Sequence, residues 1–103
     1  MKLLIVDDQY VSAKGLSDGI NWNKIGIDNV RIAQNAMEAR LCFKDHVPDI
    51  VLCDIEMPVE TGLDLIRWVR SEGYESRVIF LTCHAEFQYA KEAIALNVDD
   101  YIV

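Results

Sequence analysis

The sequence has few basic residues and no long apolar run. Ten Lys and Arg stand against seventeen Asp and Glu, which gives a formal net charge of −7 at pH 7. An acidic chain repels the phosphates of DNA at long range, so DNA binding is expected only through a C-terminal domain absent from these residues. The first apolar run, residues 3–6, is followed at once by Asp7 and Asp8. A secretory signal needs about 7 to 15 apolar residues and a membrane span about 20, so neither is expected.

Metal-binding cysteine pairs and a glycine-rich loop are also missing. The three cysteines, Cys42, Cys53 and Cys83, are odd in number and do not have the spacing of metal ligands. This pattern disfavours a secreted disulfide framework and predicts a cytoplasmic location. No glycine-rich loop follows the first apolar run, which disfavours a nucleotide or flavin module.

The sequence does contain enough apolar material for one compact domain. Of its 103 residues, 51% are hydrophobic, and they are spread along the whole chain. Continuous apolar runs at residues 3–6, 50–53 and 78–81 predict strands that are covered on both faces, as in a parallel sheet. Weaker runs at residues 30–33 and 101–103 predict a second and a fifth strand.

The segments between these runs have the period of helices. Leu65, Ile66 and Val69 predict the inner face of a third helix. The inner faces predicted for the other helices are less regular, and they comprise Val11, Leu16 and Ile20 for the first, Ala39, Phe43, His46 and Val47 for the second, and Phe87, Ala90, Ala93, Ile94 and Asn97 for the fourth. Strands joined by helical crossovers predict a doubly wound α/β fold with a five-stranded parallel sheet.

Acidic residues follow two of the predicted strands. Asp7 and Asp8 come directly after the first strand, and Asp54 comes directly after the third. If these strands are neighbours, the three carboxylates meet at the edge where such sheets bind ligands. Their mutual repulsion predicts a hard divalent cation, and Mg²⁺ suits a site that keeps room for water and phosphate oxygens. Taken singly, an aspartate at a strand end is more often a helix cap or a turn residue.

A hydroxyl side chain completes this pattern. Thr82 follows the fourth strand as Asp54 follows the third, so its hydroxyl is expected at the same edge, where it could donate to an added phosphoryl oxygen. Asp54 could then attack phosphorus to form an acyl phosphate. Threonine is also an ordinary strand residue.

Four segments together resemble the receiver domain of bacterial two-component response regulators. They are LLIVDDQ at residues 3–9, DIVLCDIEMPVETG at 49–62, VIFLT at 78–82 and AKEAIALNVDDYIV at 90–103. The connection around Asn21, Trp22 and Gly26, with the FQYA start of the fourth helix, is most similar to receivers fused to AraC-type DNA-binding domains. The resemblance covers the whole chain.

The resemblance implies a flavodoxin-like receiver fold with strand order 2-1-3-4-5. It implies that Asp54 accepts a phosphoryl group from a sensor histidine kinase, and that the domain is a switch and not an enzyme. The other implied roles belong to the cation site and the switch, with Asp8 as direct Mg²⁺ ligand, Asp7 as ligand through a water, the backbone carbonyl of Glu56 as third ligand, Thr82 as switch hydroxyl and Tyr101 as switch aromatic.

One feature of the family pattern is not found. Receivers carry a lysine directly after the fifth strand, and the sequence stops at Val103, one position earlier. The expectation is a receiver domain, residues 1–103, that is C-terminally truncated and lacks the lysine and the last helix. Phosphorylation is then expected to be impaired, and the uncovered sheet face is expected to cause self-association.

Two other functions stay open at this point. The first is a pseudo-receiver that binds a partner or dimerises without phosphorylation. The second is an aspartate-nucleophile phosphatase, which Asp54 and Glu56 partly imitate. A phosphatase of that kind needs further acidic residues, a lysine and a cap domain, which 103 residues hardly hold.

Overall fold

The computed structural model describes residues 1–82 and 87–102. These residues form strands and α-helices in strict alternation, and a short 3-10 helix, Trp22–Ile25, precedes the second strand. The elements are β1 (Lys2–Val6), α1 (Tyr10–Gly19), β2 (Asn29–Ala33), α2 (Ala36–Asp45), β3 (Ile50–Asp54), α3 (Gly62–Ser71), β4 (Arg77–Leu81), α4 (Phe87–Ala95) and β5 (Asp100–Ile102).

The sheet has five parallel strands in the order β2-β1-β3-β4-β5. Val6 pairs with Ala33 on one side and with Cys53 on the other, while Asp54 pairs with Leu81. The carboxyl ends of β1, β3 and β4 are therefore level, and the residues that follow them meet at one edge. The predicted doubly wound fold with strand order 2-1-3-4-5 is confirmed, and the described residues contain four α-helices.

The two faces of the sheet are covered by different helices. On one face, alternate strand residues pack with α2, α3 and α4 in the main core, and α3 contributes its predicted inner residues Leu65, Ile66 and Val69. On the other face, Ala13 of α1 packs against Leu3 and Ile5. Strands buried on both sides explain why their sequences are continuously apolar. No helix within the described residues is long and apolar enough to cross a membrane.

The inner faces predicted for α1 and α4 were partly wrong. Val11 is 85% exposed and Ile94 is 80% exposed, and Ala13, which was not predicted, is buried in α1. Ala93 of α4 is buried as predicted. Both helices therefore place a small residue, not a β-branched one, deepest against the sheet. Each residue along a helix turns the side chain by about 100°, so a small error in phase moves a predicted stripe to the solvent side.

The second helix ends earlier than the sequence suggested. Ala39 and Phe43 are buried as predicted, but α2 stops at Asp45, and His46 and Val47 are exposed. The start of the helix is well defined because the Asn35 side chain accepts a hydrogen bond from the amide of Glu38 at 2.8 Å. This is the usual way to satisfy a free N–H group in the first turn.

Candidate metal centre at the carboxyl edge of the sheet

Three aspartates converge where β1 and β3 end. Asp7 and Asp8 follow β1, and Asp54 is the last residue of β3. Carboxylate oxygens of all three lie within 4.8 Å of one another, and all three side chains are half-buried. The structure thus brings together the three aspartates that the sequence singled out, and their individual roles stay predictions.

The pKa values of Asp54 and Asp7 are both raised in the folded chain. Burial raises the pKa of Asp54 to about 6, and the neighbouring charges of Asp7 and Asp8 add to the rise, while the amide of Glu56 opposes it. Burial also raises the pKa of Asp7, against a hydrogen bond from the amide of Gln9 at 2.9 Å. Holding all three groups ionised therefore costs free energy.

The donor set fits a hard divalent cation. All three side chains offer oxygen atoms, which are the ligands that Mg²⁺ prefers, and the half-buried setting leaves positions for water. A bound cation would also offset the repulsion that raises the pKa of Asp54. The residues present therefore fit Mg²⁺, which the three aspartates together would hold at this edge.

The start of α3 is fitted closely against Asp54. Thr61 caps the helix, since its side chain accepts from the amide of Asp64 and the Asp64 side chain accepts from the amide of Thr61. The next residue, Gly62, donates its N–H to the carbonyl of Ile55 at 2.8 Å. This capping box fixes where the loop from Asp54 must end.

The loop itself is shaped by two further features. Val59 has a φ of 70°, a left-handed conformation that is rare for a β-branched residue, and its side chain is fully exposed. Glu60 accepts a hydrogen bond from Arg40 of α2, and the Arg40 guanidinium also lies 5.6 Å from the centre of the Trp68 ring. The loop after Asp54 is therefore tied to α2 as well as to α3.

Thr82 lies at the acidic edge of the sheet, and Tyr101 lies within β5. Thr82 is buried, donates its amide to the carbonyl of Ile102 at 3.0 Å, and lines the same groove as Asp7 and Asp54. Tyr101 pairs with Phe80 in the sheet and is half-buried against the main core. The proposed switch pair thus spans the end of β4 and the middle of β5, and its function stays a prediction.

Sequence reasoning missed the contact between Glu56 and Tyr89. The amide of Glu56 donates to Oδ1 of Asp54 at 3.3 Å, and its side chain accepts from the Tyr89 hydroxyl at 3.2 Å. Tyr89 stands in the FQYA segment, which in the sequence carries only a family resemblance. No local pattern points to the contact, because the two residues are 33 positions apart.

A parallel 2-1-3-4-5 sheet with an acidic cluster at its carboxyl edge has the architecture of a signalling receiver. The chain belongs to the response regulator receiver domain family, whose profile matches residues 3–103. The resemblance inferred from the sequence is therefore confirmed.

Individual relatives agree with this assignment. The chain is 34% identical over 102 residues to the transcriptional regulatory protein YesN of Bacillus subtilis. It is 36% identical to the REC domain of AraT, a response regulator from Geobacillus stearothermophilus, with a TM-score of 0.87 over 98% of this chain and 78% of that one. The response regulator TrrA of Thermotoga maritima, solved in complex with Mg²⁺ and BeF, is 27% identical, with a TM-score of 0.82 over 99% of this chain and 84% of that one.

The match covers nearly all of this chain but only part of each curated relative. It takes in 99% of this chain but only 28% of YesN, and 40% of several staphylococcal regulators. The chain thus spans less than half the length of these relatives.

Proposed function

We propose that this chain accepts a phosphoryl group on Asp54 from a sensor histidine kinase and thereby switches an output surface in the cytoplasm. The observation that carries the proposal is the convergence of Asp7, Asp8 and Asp54 within 4.8 Å in a member of the receiver family. In this proposal the domain is a phosphorylated switch and not a turnover enzyme.

The transfer step follows from the chemistry of the site. A carboxylate oxygen of Asp54 attacks the phosphorus of a phosphohistidine on the partner kinase. The new P–O bond forms as the P–N bond breaks, and the electron pair returns to the imidazole, which takes a proton from solvent. Bound Mg²⁺ supplies charge stabilisation for the transferred group.

This chain's residues hold the reacting groups in place. In the proposal, Asp8, Asp54 and the carbonyl of Glu56 are direct cation ligands, and Asp7 binds through a water. The amide of Glu56, 3.3 Å from Oδ1 of Asp54, orients the acceptor carboxylate. A pKa of about 6 for Asp54 means that the nucleophile is mostly ionised at neutral pH even before a cation binds.

The switch would act through Thr82 and Tyr101. The hydroxyl of Thr82 moves to donate to a phosphoryl oxygen, and Tyr101 repacks into the space beside it, which changes the surface around β4, α4 and β5. In the whole protein this surface would control a DNA-binding output domain of the AraC type. Support for that output comes from the transcriptional regulators among the relatives.

Labelling with a small phosphodonor tests the acceptor. Acetyl phosphate is added with and without Mg²⁺ to the wild-type chain, to Asp54→Asn and to Asp18→Asn, and intact mass is measured. Asp18 is a matched control because it is an exposed aspartate in an ion pair with Lys14, on α1. The wild type and Asp18→Asn are expected to take up the same Mg²⁺-dependent label, at the reduced level that the sequence analysis predicts, and Asp54→Asn is expected to take up none.

A label that persists in Asp54→Asn would contradict the assignment of the acceptor. Steady release of inorganic phosphate from a generic phosphoester would favour the phosphatase alternative. Mg²⁺ titration followed by NMR, with and without beryllofluoride, tests the switch separately. The signals of Thr82 and Tyr101 are expected to move only when Mg²⁺ and beryllofluoride are both present.

A further inference from the structure

Glu56 touches the candidate acceptor and α4 at the same time. Its amide donates to Oδ1 of Asp54 at 3.3 Å, and its carboxylate accepts from the hydroxyl of Tyr89 at 3.2 Å. One residue therefore joins the acidic cluster to a helix that contributes no acidic ligand to it.

The described side chains of α4 bury little apolar area. Ala93 is the buried member among them, while Ile94 is 80% exposed. Polar contacts add to this packing, since Glu92 accepts from Arg67 of α3 at 2.8 Å and Tyr89 reaches Glu56. A helix with few buried apolar contacts is among the easier elements to displace, and the hydrogen bond from Tyr89 to Glu56 is one of the polar contacts that position α4.

The side chain of Tyr89 makes both a polar and an apolar contact. Its ring packs at the margin of the main core, in the same layer as Tyr101, Leu96 and Val98. Its hydroxyl points to the loop after Asp54, where it meets Glu56. The hydrogen bond therefore links the side chain of Glu56 to a ring that packs against the main core.

We infer that Tyr89 is a positioning residue that couples the cation site to α4 through the side chain of Glu56. This inference rests on the proposed function, because it takes the peptide of Glu56 as part of the cation and phosphoryl site. While the hydrogen bond between Tyr89 and Glu56 is formed, the Glu56 peptide is held toward Asp54 before the cation binds. By linkage, the cation in turn biases the position of α4.

The test compares Mg²⁺ binding in four tyrosine and glutamate variants. Tyr89→Phe removes only the hydroxyl, and Tyr74→Phe is the matched control, because its ring lies in the Phe43 and Trp68 cluster away from the acidic edge. Glu56→Ala removes the carboxylate that accepts the hydrogen bond from Tyr89 and keeps the backbone carbonyl. The double variant Tyr89→Phe with Glu56→Ala completes a thermodynamic cycle. Mg²⁺ affinity is measured by calorimetry and the amide signals of α4 by NMR.

The hydroxyl is expected to matter only while its partner is present. Tyr89→Phe should weaken Mg²⁺ binding about threefold, the size of one exposed hydrogen bond, and should reduce the Mg²⁺-induced shifts of α4. The same change in the Glu56→Ala background should have no further effect, and Tyr74→Phe should match the wild type. The cycle isolates this pair from the other contacts of both residues.

The outcomes separate this inference from the proposed function. Equal effects of Tyr89→Phe with and without the Glu56 side chain would overturn the coupling, as would wild-type Mg²⁺ binding and α4 shifts in Tyr89→Phe. A wild-type chain that does not bind Mg²⁺ would instead remove the proposed cation site itself. Thermal unfolding of each variant without Mg²⁺ confirms that it is folded.

Discussion

Gly62 lies so close to Asp54 that a β-carbon at position 62 would be 2.2 Å from the carbonyl oxygen of Asp54. The same β-carbon would be 2.9 Å from Sγ of Cys53. The first residue of α3 and the last residue of β3 can approach this closely only because one of them has no side chain. This contact sets the length and path of the loop that carries Glu56.

Replacing Gly62 with alanine should therefore disturb both the fold and the site. The backbone of Asp54 or the start of α3 must move, and we expect a loss of about 2 to 3 kcal/mol in the free energy of unfolding, with weaker Mg²⁺ binding. Urea denaturation and calorimetric Mg²⁺ titration measure the two effects. Gly15→Ala is the matched control, since a β-carbon added at Gly15 would meet nothing within 4 Å, and it should stabilise α1 by about 0.5 to 1 kcal/mol. A Gly62→Ala chain as stable as the wild type would contradict the close fit.

A second prediction concerns Val59, whose backbone conformation strains the turn after Asp54. Val59 has a φ of 70° and a fully exposed side chain, so it gains no burial in return for its conformation. Val59→Gly should raise the free energy of unfolding by about 0.5 to 1 kcal/mol, because the left-handed penalty exceeds the added flexibility of glycine. Val11→Gly, at another highly exposed position, in α1, should lower it by a few tenths. Destabilisation by Val59→Gly would show that the turn is not strained.

The contribution of Asp54 to stability in the absence of Mg²⁺ should fall as the pH rises toward 6. The pKa of Asp54 is raised from 3.8 to about 6 in the folded chain, so between these values the folded state binds more protons than the unfolded state. This contribution to the free energy of unfolding then decreases with pH across this window and levels off above it. The raised pKa of Asp7 acts in the same direction.

Denaturant midpoints measured from pH 4 to 8 test this dependence. Asp54→Asn should flatten the curve and be more stable than the wild type at pH 7, while Asp18→Asn should keep the wild-type shape. Protons and Mg²⁺ compete for the same carboxylates, so Mg²⁺ affinity should rise over the same window. A wild-type curve with the same shape as the Asp54→Asn curve would refute the raised pKa.

The fourth prediction concerns Arg70, which joins α3 to the end of α4. Its guanidinium donates to the carbonyls of Leu96 and Asn97 and to those of Tyr74 and Ser76, at 2.9 to 3.2 Å. A lysine cannot reach several divergent acceptors with one ammonium group. Arg70→Lys should cost about 2 kcal/mol of unfolding free energy.

Hydrogen exchange adds a local readout to this prediction. Loss of Arg70 should speed exchange at the C-terminal end of α4 more than in α3. The exposed Arg77, also changed to lysine, is the control and should leave stability within a few tenths of a kcal/mol. Equal losses in the two variants would mean that the four carbonyl contacts contribute nothing specific.

The strands and the acidic cluster were predictable because their signals are local. Each buried strand reads as a short apolar run, and in a parallel sheet the residues directly after neighbouring strands must meet at one edge. Asp7, Asp8 and Asp54 could therefore be placed together from their positions alone. The inner residues of α3 were also found, because its apolar stripe is strong and sharply capped by Thr61.

The remaining features depend on how each helix is rotated and how far it lies from the sheet. The sequence by itself determined the strand order through the family pattern, and it determined which carboxylates converge. Only the tertiary structure decided that Ala13 faces the core in place of Val11 and that Ile94 is exposed beside the buried Ala93. It also decided that Tyr89 reaches Glu56 from 33 residues away. The physical reason is that strand pairing puts backbone ends in fixed register, whereas a contact between a helix and a loop depends on packing summed over the whole core.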